Sequence, residues 1–363
     1  AGQAQGGAGN AGQAQGGAGT GGATPFEQKR SDKPRADGSA VSEADRKAVV
    51  DGNAAFAFDL YGKLRQDSGN AGKNLFFSPL SVTLALGMTE AGALGATQTE
   101  IDQAMHFTLP PASLHPALNW LALELNKRPQ QAIDYAKNNM AANVPDVALR
   151  TVNAVWGEKT LDWQDGYLDV LAESYGAGIN LGNFKQTPEA ERLVINQWVA
   201  DQTEQRIKDL IPGKAIDEQT RFVLVNAINL TFAWQEDFDK AKTTTGPFTV
   251  EGGAATTASL MTRPLQTGYA EDDLAESVVL PLFSKSLSVV VYLPKAGKFA
   301  EFESKVATEV PALQAAEQFA TIDLTLPRFT FTTDTIPLEK ILQDQGMKTA
   351  FSSQANFTPM TTT

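Results

Sequence analysis

The chain has 363 residues, a formal net charge of −12 and no cysteine. Lack of cysteine excludes disulfides, zinc–thiolate sites and thiol nucleophiles, and a pI near 4.8 argues against nucleic acid or another polyanion as the main partner. No run of about 18 apolar residues is present to form a membrane-spanning helix, whereas 42% hydrophobic and 20% charged residues suit a large folded core.

The chain opens on a repeat, AGQAQGGAG at residues 1–9 and again at 11–19, with no aromatic before Phe26 and no charge before Glu27. Such a stretch buries too little apolar surface to offset its conformational entropy, so residues 1–40 are expected to form a disordered tether. A spacer of this kind suits a domain held off a cell surface, and an extracytoplasmic location, secreted or tethered, is the expectation. No charged segment leading into an apolar one opens the chain, so any signal peptide is expected to have been removed.

From Val41-Ser42-Glu43 a helix is predicted, with Val49, Ala55, Phe56, Leu60 and Leu64 on one face. Asn74–Thr97 reads NLFFSPLSVTLALGMTEAGALGAT. Pro79 suits a first helical turn and Ser78 before it is a natural N-cap. Leu80 to Met88 carries no charge, so that helix should be buried on nearly every side. Further helices are predicted over 96–105, 117–126, 166–175 and 188–210. Strands are predicted over 221–231, 248–250, 277–282, 287–293 and 321–331. Within them, Val289–Leu293 reads as buried on both faces. Helices early and strands late make the domain, residues 41–363, an α+β fold.

No familiar catalytic motif is present in the chain. Its two histidines, His106 and His115, flank a Pro-rich stretch and read as surface or helix-end residues. No serine sits in a Gly-x-Ser-x-Gly turn, and no Walker loop, His-Glu-x-x-His or calcium loop is present. Ala71-Gly72-Lys73-Asn74 lacks the Ser/Thr of a phosphate loop, and Glu271-Asp272-Asp273 reads as a solvated loop. No catalytic residue, metal site or cofactor is therefore assigned.

The Asn74–Thr97 run closely resembles the entry to the central helix of the serpins, a family of protease inhibitors and their non-inhibitory relatives. Corroborating motifs follow in the family's order. Val152–Trp156 (VNAVW) looks like a strand of the large sheet. Ile195–Val199 (INQWV) and Ile207–Leu210 (IKDL) resemble the helix crossing its front. Val223–Trp234 (VLVNAINLTFAW) looks like the next strand. Thr243–Phe248, Ser259–Met261, Val279–Leu282, Val291–Pro294, Leu326–Phe329 and Gly346–Ser352 complete the likeness, which runs from about Ala48 to Met360.

The resemblance implies a serpin fold, a helix-rich N-terminal part with three mixed or antiparallel sheets. It also implies a suicide substrate for serine, and possibly cysteine, proteases: the protease cleaves an exposed reactive loop, which then inserts into the large sheet. By motif, Ser78, Ser81 and Asn226 fall at the shutter where that sheet opens, and Trp234 at the breach where the loop enters. Their other reading is as core residues that fix a helix start and strand packing. A family member continues beyond Met360 with another strand, the hinge, the reactive loop and final strands. That C-terminal segment is expected in continuation or as a separate chain, and the target protease would be read from it. Few basic residues between Leu114 and Arg128 argue against a heparin-like activator. Leu230-Thr231-Phe232-Ala233 before Trp234, Asn356 and Pro359 depart from the usual family residues. A non-inhibitory serpin used as a binding or structural module is the alternative.

Overall fold

A short strand, β1 (Gln28–Lys29), precedes the first helix, α1 (Glu43–Gln66). Ser42 caps α1 by accepting from Asp45 N, and Val49, Phe56, Leu60 and Leu64 are buried along one face. In this computed structural model, which describes residues 26–139, 144–251, 253–331, 333 and 336–362, a helical layer follows: α2 (Pro79–Glu90), α3 (Ala96–Ala104), α4 (Pro111–Asn126) and α5 (Arg128–Asn138). After it come β2 (Ala148–Glu158), α6 (Asp165–Val170) with a π-helical segment (Leu171–Tyr175), β3 (Ile179–Gly182), α7 (Pro188–Gln202) and β4 (Phe222–Thr231). The later part is β5 (Thr244–Thr249), β6 (Ala255–Glu271), β7 (Ala275–Pro281), β8 (Ser288–Pro294), α8 (Phe299–Ser304), α9 (Val306–Ala315), β9 (Gln318–Pro327) and α10 (Glu339–Asp344).

The strands expected in three sheets gather, among the described residues, into two. The first has the order β1-β3-β2-β4 and is mixed: β2 runs parallel to β3 and antiparallel to β4, in register from Ala148↔Thr231 to Gly157↔Phe222. The second has the order β5-β6-β7-β8, with β9 also on β6. Its unity comes from β6, whose seventeen residues pair successively with β5, β9 and β7.

Four expectations need correction. The tether does not extend to residue 40: Phe26 packs on Trp156 and β1 pairs with β3, because this stretch contains the first side chains able to dock; residues 1–25 lie outside the described residues. The helix expected over 188–210 stops at Gln202. There Thr203 Oγ1 donates to Val199 O and accepts from Ile207 N, while Glu204 and Gln205 take left-handed φ of 54° and 63°. Ile207, Leu210 and Ile211 then fold back onto the sheet's core. Third, β8 is not buried on both faces: Val289 and Leu293, which share one face of the strand, are exposed, whereas Tyr292 on the other face packs against Phe302 of α8. Finally, His115 is buried within α4 and is neither a surface nor a helix-end residue.

Candidate functional site

Alternation along β2 and β4 sorts their side chains onto two faces. Ala154, Trp156 and Val225 pack with Phe184 and with Ile195 and Val199 of α7. On the opposite face, Val155 and Leu224 meet Met88 of α2 together with Leu168 and Leu171. Asn153 and Asn226 share the parity of Val155 and Leu224, so both side chains project toward α2. They stand opposite one another in the β2–β4 register, and Asn226 Nδ2 donates to Asn153 Oδ1. Asn226 Oδ1 is shielded from solvent and has no hydrogen-bond partner among the described residues.

The start of α2 is built as its sequence dictates. Pro79 occupies the first turn, and Ser78 Oγ accepts from Ser81 N at 3.3 Å. Ser81 is buried, and its hydroxyl, like Asn226 Oδ1, has no partner among the described residues. Since α2 packs against β4 and β2, two under-satisfied polar groups lie along one helix–sheet interface. A buried polar atom left unpaired costs about 1–3 kcal/mol, so this interface adheres less strongly than an apolar one of equal area.

β4 itself pairs only with β2 among the described residues.

Trp234 lies apart from this locus. It bridges to Leu282; Gln235 N donates to Pro281 O and Phe283 N to Ala233 O, each at 2.9 Å. Its ring sits 6.0 Å from that of Phe238, against the core of Val278, Leu280, Leu324 and Leu326. Trp234 therefore ties the exit of β4 to the five-stranded sheet. Ser78, Ser81 and Asn226 are brought to one interface, and Trp234 to another.

The histidines do not assemble a nucleophile. His106 has a φ of 55°, and its Nε2 lies 2.7 Å from Asp59 Oδ2. His115 Nε2 lies 3.1 Å from Glu90 Oε2 and its Nδ1 2.9 Å from Tyr175 Oη. Gln98 Nε2 donates to Glu90 Oε1 at 2.7 Å. Burial, and then the nearby Glu90, push the Asp102 carboxyl up to about 7. Burial, Glu90 and Tyr167 also hold the Tyr175 hydroxyl well above its ordinary value. This polar group within the helical layer escaped sequence reading; its one local signal is Glu90, the only charge in α2. Among the described residues no cluster of three His, Cys, Asp or Glu side chains is placed to hold a metal ion.

A family model described as Serpin (serine protease inhibitor) matches residues 51–363. Mouse antithrombin-III is 32% identical over 310 residues, a match that takes in 85% of this chain and 64% of that protein. The chain thus spans less than two thirds of that relative's length. Human serpin B4 is 29% identical over 321 residues, covering 86% of this chain and 81% of the relative. A solved structure titled cleaved Serpin 42Da superposes with a TM-score of 0.75 at 24% identity, covering 89% of this chain and 82% of that one.

Proposed function

The chain belongs to the serpin family, and from that membership we propose that it is a suicide-substrate inhibitor of serine endopeptidases, with cysteine endopeptidases as a second target class. The target's nucleophile attacks the scissile carbonyl of an exposed loop, the peptide bond breaks, and the new amine leaves with one proton. An acyl-enzyme ester, or thioester, remains. Adding the freed loop as a strand to the mixed sheet carries the protease with it and deforms its oxyanion hole, so deacylation loses its transition-state stabilisation. The inhibitor needs no catalytic group of its own. Its working parts are those that let the sheet accept a strand.

The observation that carries this reading is the α2–β2–β4 interface, where Asn226 Oδ1 and the Ser81 hydroxyl are buried without partners among the described residues beneath the strands that would have to move. The test is the denaturing mass of the natural protein before and after incubation with a panel of serine and cysteine proteases. A species equal to protein plus protease, less a small C-terminal peptide, is expected. Simple cleavage throughout, with no adduct, would instead favour a binding or structural module.

The net charge of −12 is the basis for a second expectation. Heparin should leave the inhibition rate within about twofold, because an acidic chain attracts a polyanion poorly; a large acceleration would count against this. We also propose an extracytoplasmic position, supported by the uncharged repeat that precedes the domain, whose composition suits a spacer. Protease shaving of intact cells, or assay of the medium, tests it.

A further inference from the structure

Residues 26–40 lie as a strap across the molecule, anchored at three places. The first anchor is a ring. Phe26 stands 4.5 Å from Trp156, centroid to centroid, and Trp156 is fully buried between β2 and α7, 6.1 Å from Trp198. The second is strand addition. Gln28 lies opposite Asn180 and Lys29 opposite Ile179; Glu27 O accepts from Leu181 N at 2.8 Å, and Gln28 Nε2 donates to Asn180 Oδ1 at 2.6 Å. The third is polar and sits on the helical layer. Arg35 Nε donates to Asn119 Oδ1 at 2.8 Å, and the buried Asn119 of α4 returns its Nδ2 to Ala36 O at 2.8 Å. Ala36 N completes the anchor by donating to Glu173 O of the π-helical segment.

One end of the strap is therefore fastened to the mixed sheet and the other to α4 and the π-helical segment. Inserting a strand beside β4 needs about 4.8 Å of lateral room per strand, so the sheet, with α7 on its face, has to shift relative to the helical layer. The strap spans the line along which that shift occurs. Its first residues also close the β3 edge.

We propose that the segment Phe26–Ala36 is an intramolecular clamp: by joining the β3 edge and the Trp156 pocket to α4, it restrains the opening of the mixed sheet. Its consequence for inhibition rests on the inhibitor reading above; its consequence for sheet mobility does not.

The experiment compares the natural protein with a Phe26→Ala variant and with a form lacking residues 1–36. Hydrogen exchange is followed in β2, β3 and α7, and the rate of loop insertion or spontaneous latency is measured in parallel. Loss of the aromatic pair should speed exchange about tenfold, and deletion should speed it further. A synthetic peptide of residues 26–36 added to the deleted form should restore protection. Because the deletion strips Asn119 of its partners and could unfold the protein, Phe26→Ala carries the test if it does. Unchanged exchange in Phe26→Ala overturns the clamp. Faster exchange with an unaltered insertion rate overturns its regulatory role. Faster exchange in a protein that never inserts a loop leaves the clamp standing and sinks the inhibitor reading.

Discussion

Gly157 lies in β2, at the heart of the mixed sheet, and the packing around it sets a quantitative expectation for Gly157→Ala. A Cβ there would lie well inside van der Waals contact distance of the Trp163 six-membered ring and 2.8 Å from Ile179 Cγ2. Neither neighbour can step aside. Trp163 is 2% exposed with its Nε1 donating to Glu158 O, and Ile179 is fully buried in β3. Overpacking of this kind costs about 1–3 kcal/mol, against a gain of under ~1 kcal/mol from placing Ala in place of Gly in a strand. The net is a loss on the order of 1–2 kcal/mol. Gly166 in α6 is the control: nothing lies within 4 Å of its Cβ position, so Gly166→Ala should stabilise by about 0.5–1 kcal/mol. Guanidinium unfolding followed by tryptophan fluorescence reads both variants, as midpoints where unfolding is reversible and as rates where it is not. If Gly157→Ala unfolds with wild type while Gly166→Ala gains stability, the packing argument is refuted.

Other substitutions test the helix–sheet interface and its surroundings. Ser81→Ala and Asn226→Ala should alter the rate of loop insertion or latency more than the folding yield; equal insertion kinetics in wild type and both variants would remove these residues from sheet opening. Trp234→Ala should cost about 2–3 kcal/mol by leaving a cavity at the junction of the two sheets, and should raise exchange at the Gln235 and Phe283 amides; undisturbed protection there would contradict the tie. Asp102 predicts a pH dependence. Its folded pKa is raised from 3.8 to about 7, so between those values the folded protein keeps a proton that the unfolded chain has released. Stability should therefore fall as pH rises through that window, and the deficit should persist above it. Asp102→Asn should flatten the fall in melting temperature between pH 5 and pH 8, and parallel profiles would falsify the assignment.

What was legible in the sequence was local. Ser78-Pro79 and the uncharged run behind it specify both the start of α2 and its burial, because capping and hydrophobic pattern act over a few residues. β4 announces itself by β-branched and apolar residues from Phe222 to Thr231. Long-range contacts decided the rest. The polar stretch Ala255–Glu271, interrupted by Pro264, becomes the longest described strand only through three successive partners. Val289–Leu293 has the composition of an interior strand, yet its exposure depends on what lies beside it. His115 is buried because Glu90 and Tyr175 reach it from other segments. Phe26 follows a featureless repeat, and its partner Trp156 is 130 residues away in the sequence. For the site itself, motif resemblance brought Ser78, Ser81 and Asn226 to one interface, while the Asn153 partnership and the two unpaired atoms needed coordinates.

The two faces of the mixed sheet differ in how firmly they adhere, and that difference indicates which parts move together. On the α7 face, Trp156, Phe184, Ile195 and Val225 make an apolar, partly aromatic contact, and fully burying each such side chain is worth about 1.5–3 kcal/mol. α7 is further fixed to the segment behind it: Asn196 exchanges hydrogen bonds with both backbone groups of Ile211, and Arg192 Nη1 donates to Ile211 O. On the α2 face, the middle of β2 and β4 presents the Asn153–Asn226 amides, with one oxygen unpaired, and α2 adds an unpaired hydroxyl at Ser81. Separating polar groups that are already short of partners forfeits little, because water restores what the interface withholds. The sheet should therefore slip along α2 and carry α7 with it. The Phe26–Ala36 strap crosses that slip plane from β3 to α4, so a contact worth only tenfold in exchange at Phe26 acts on the motion that strand insertion requires.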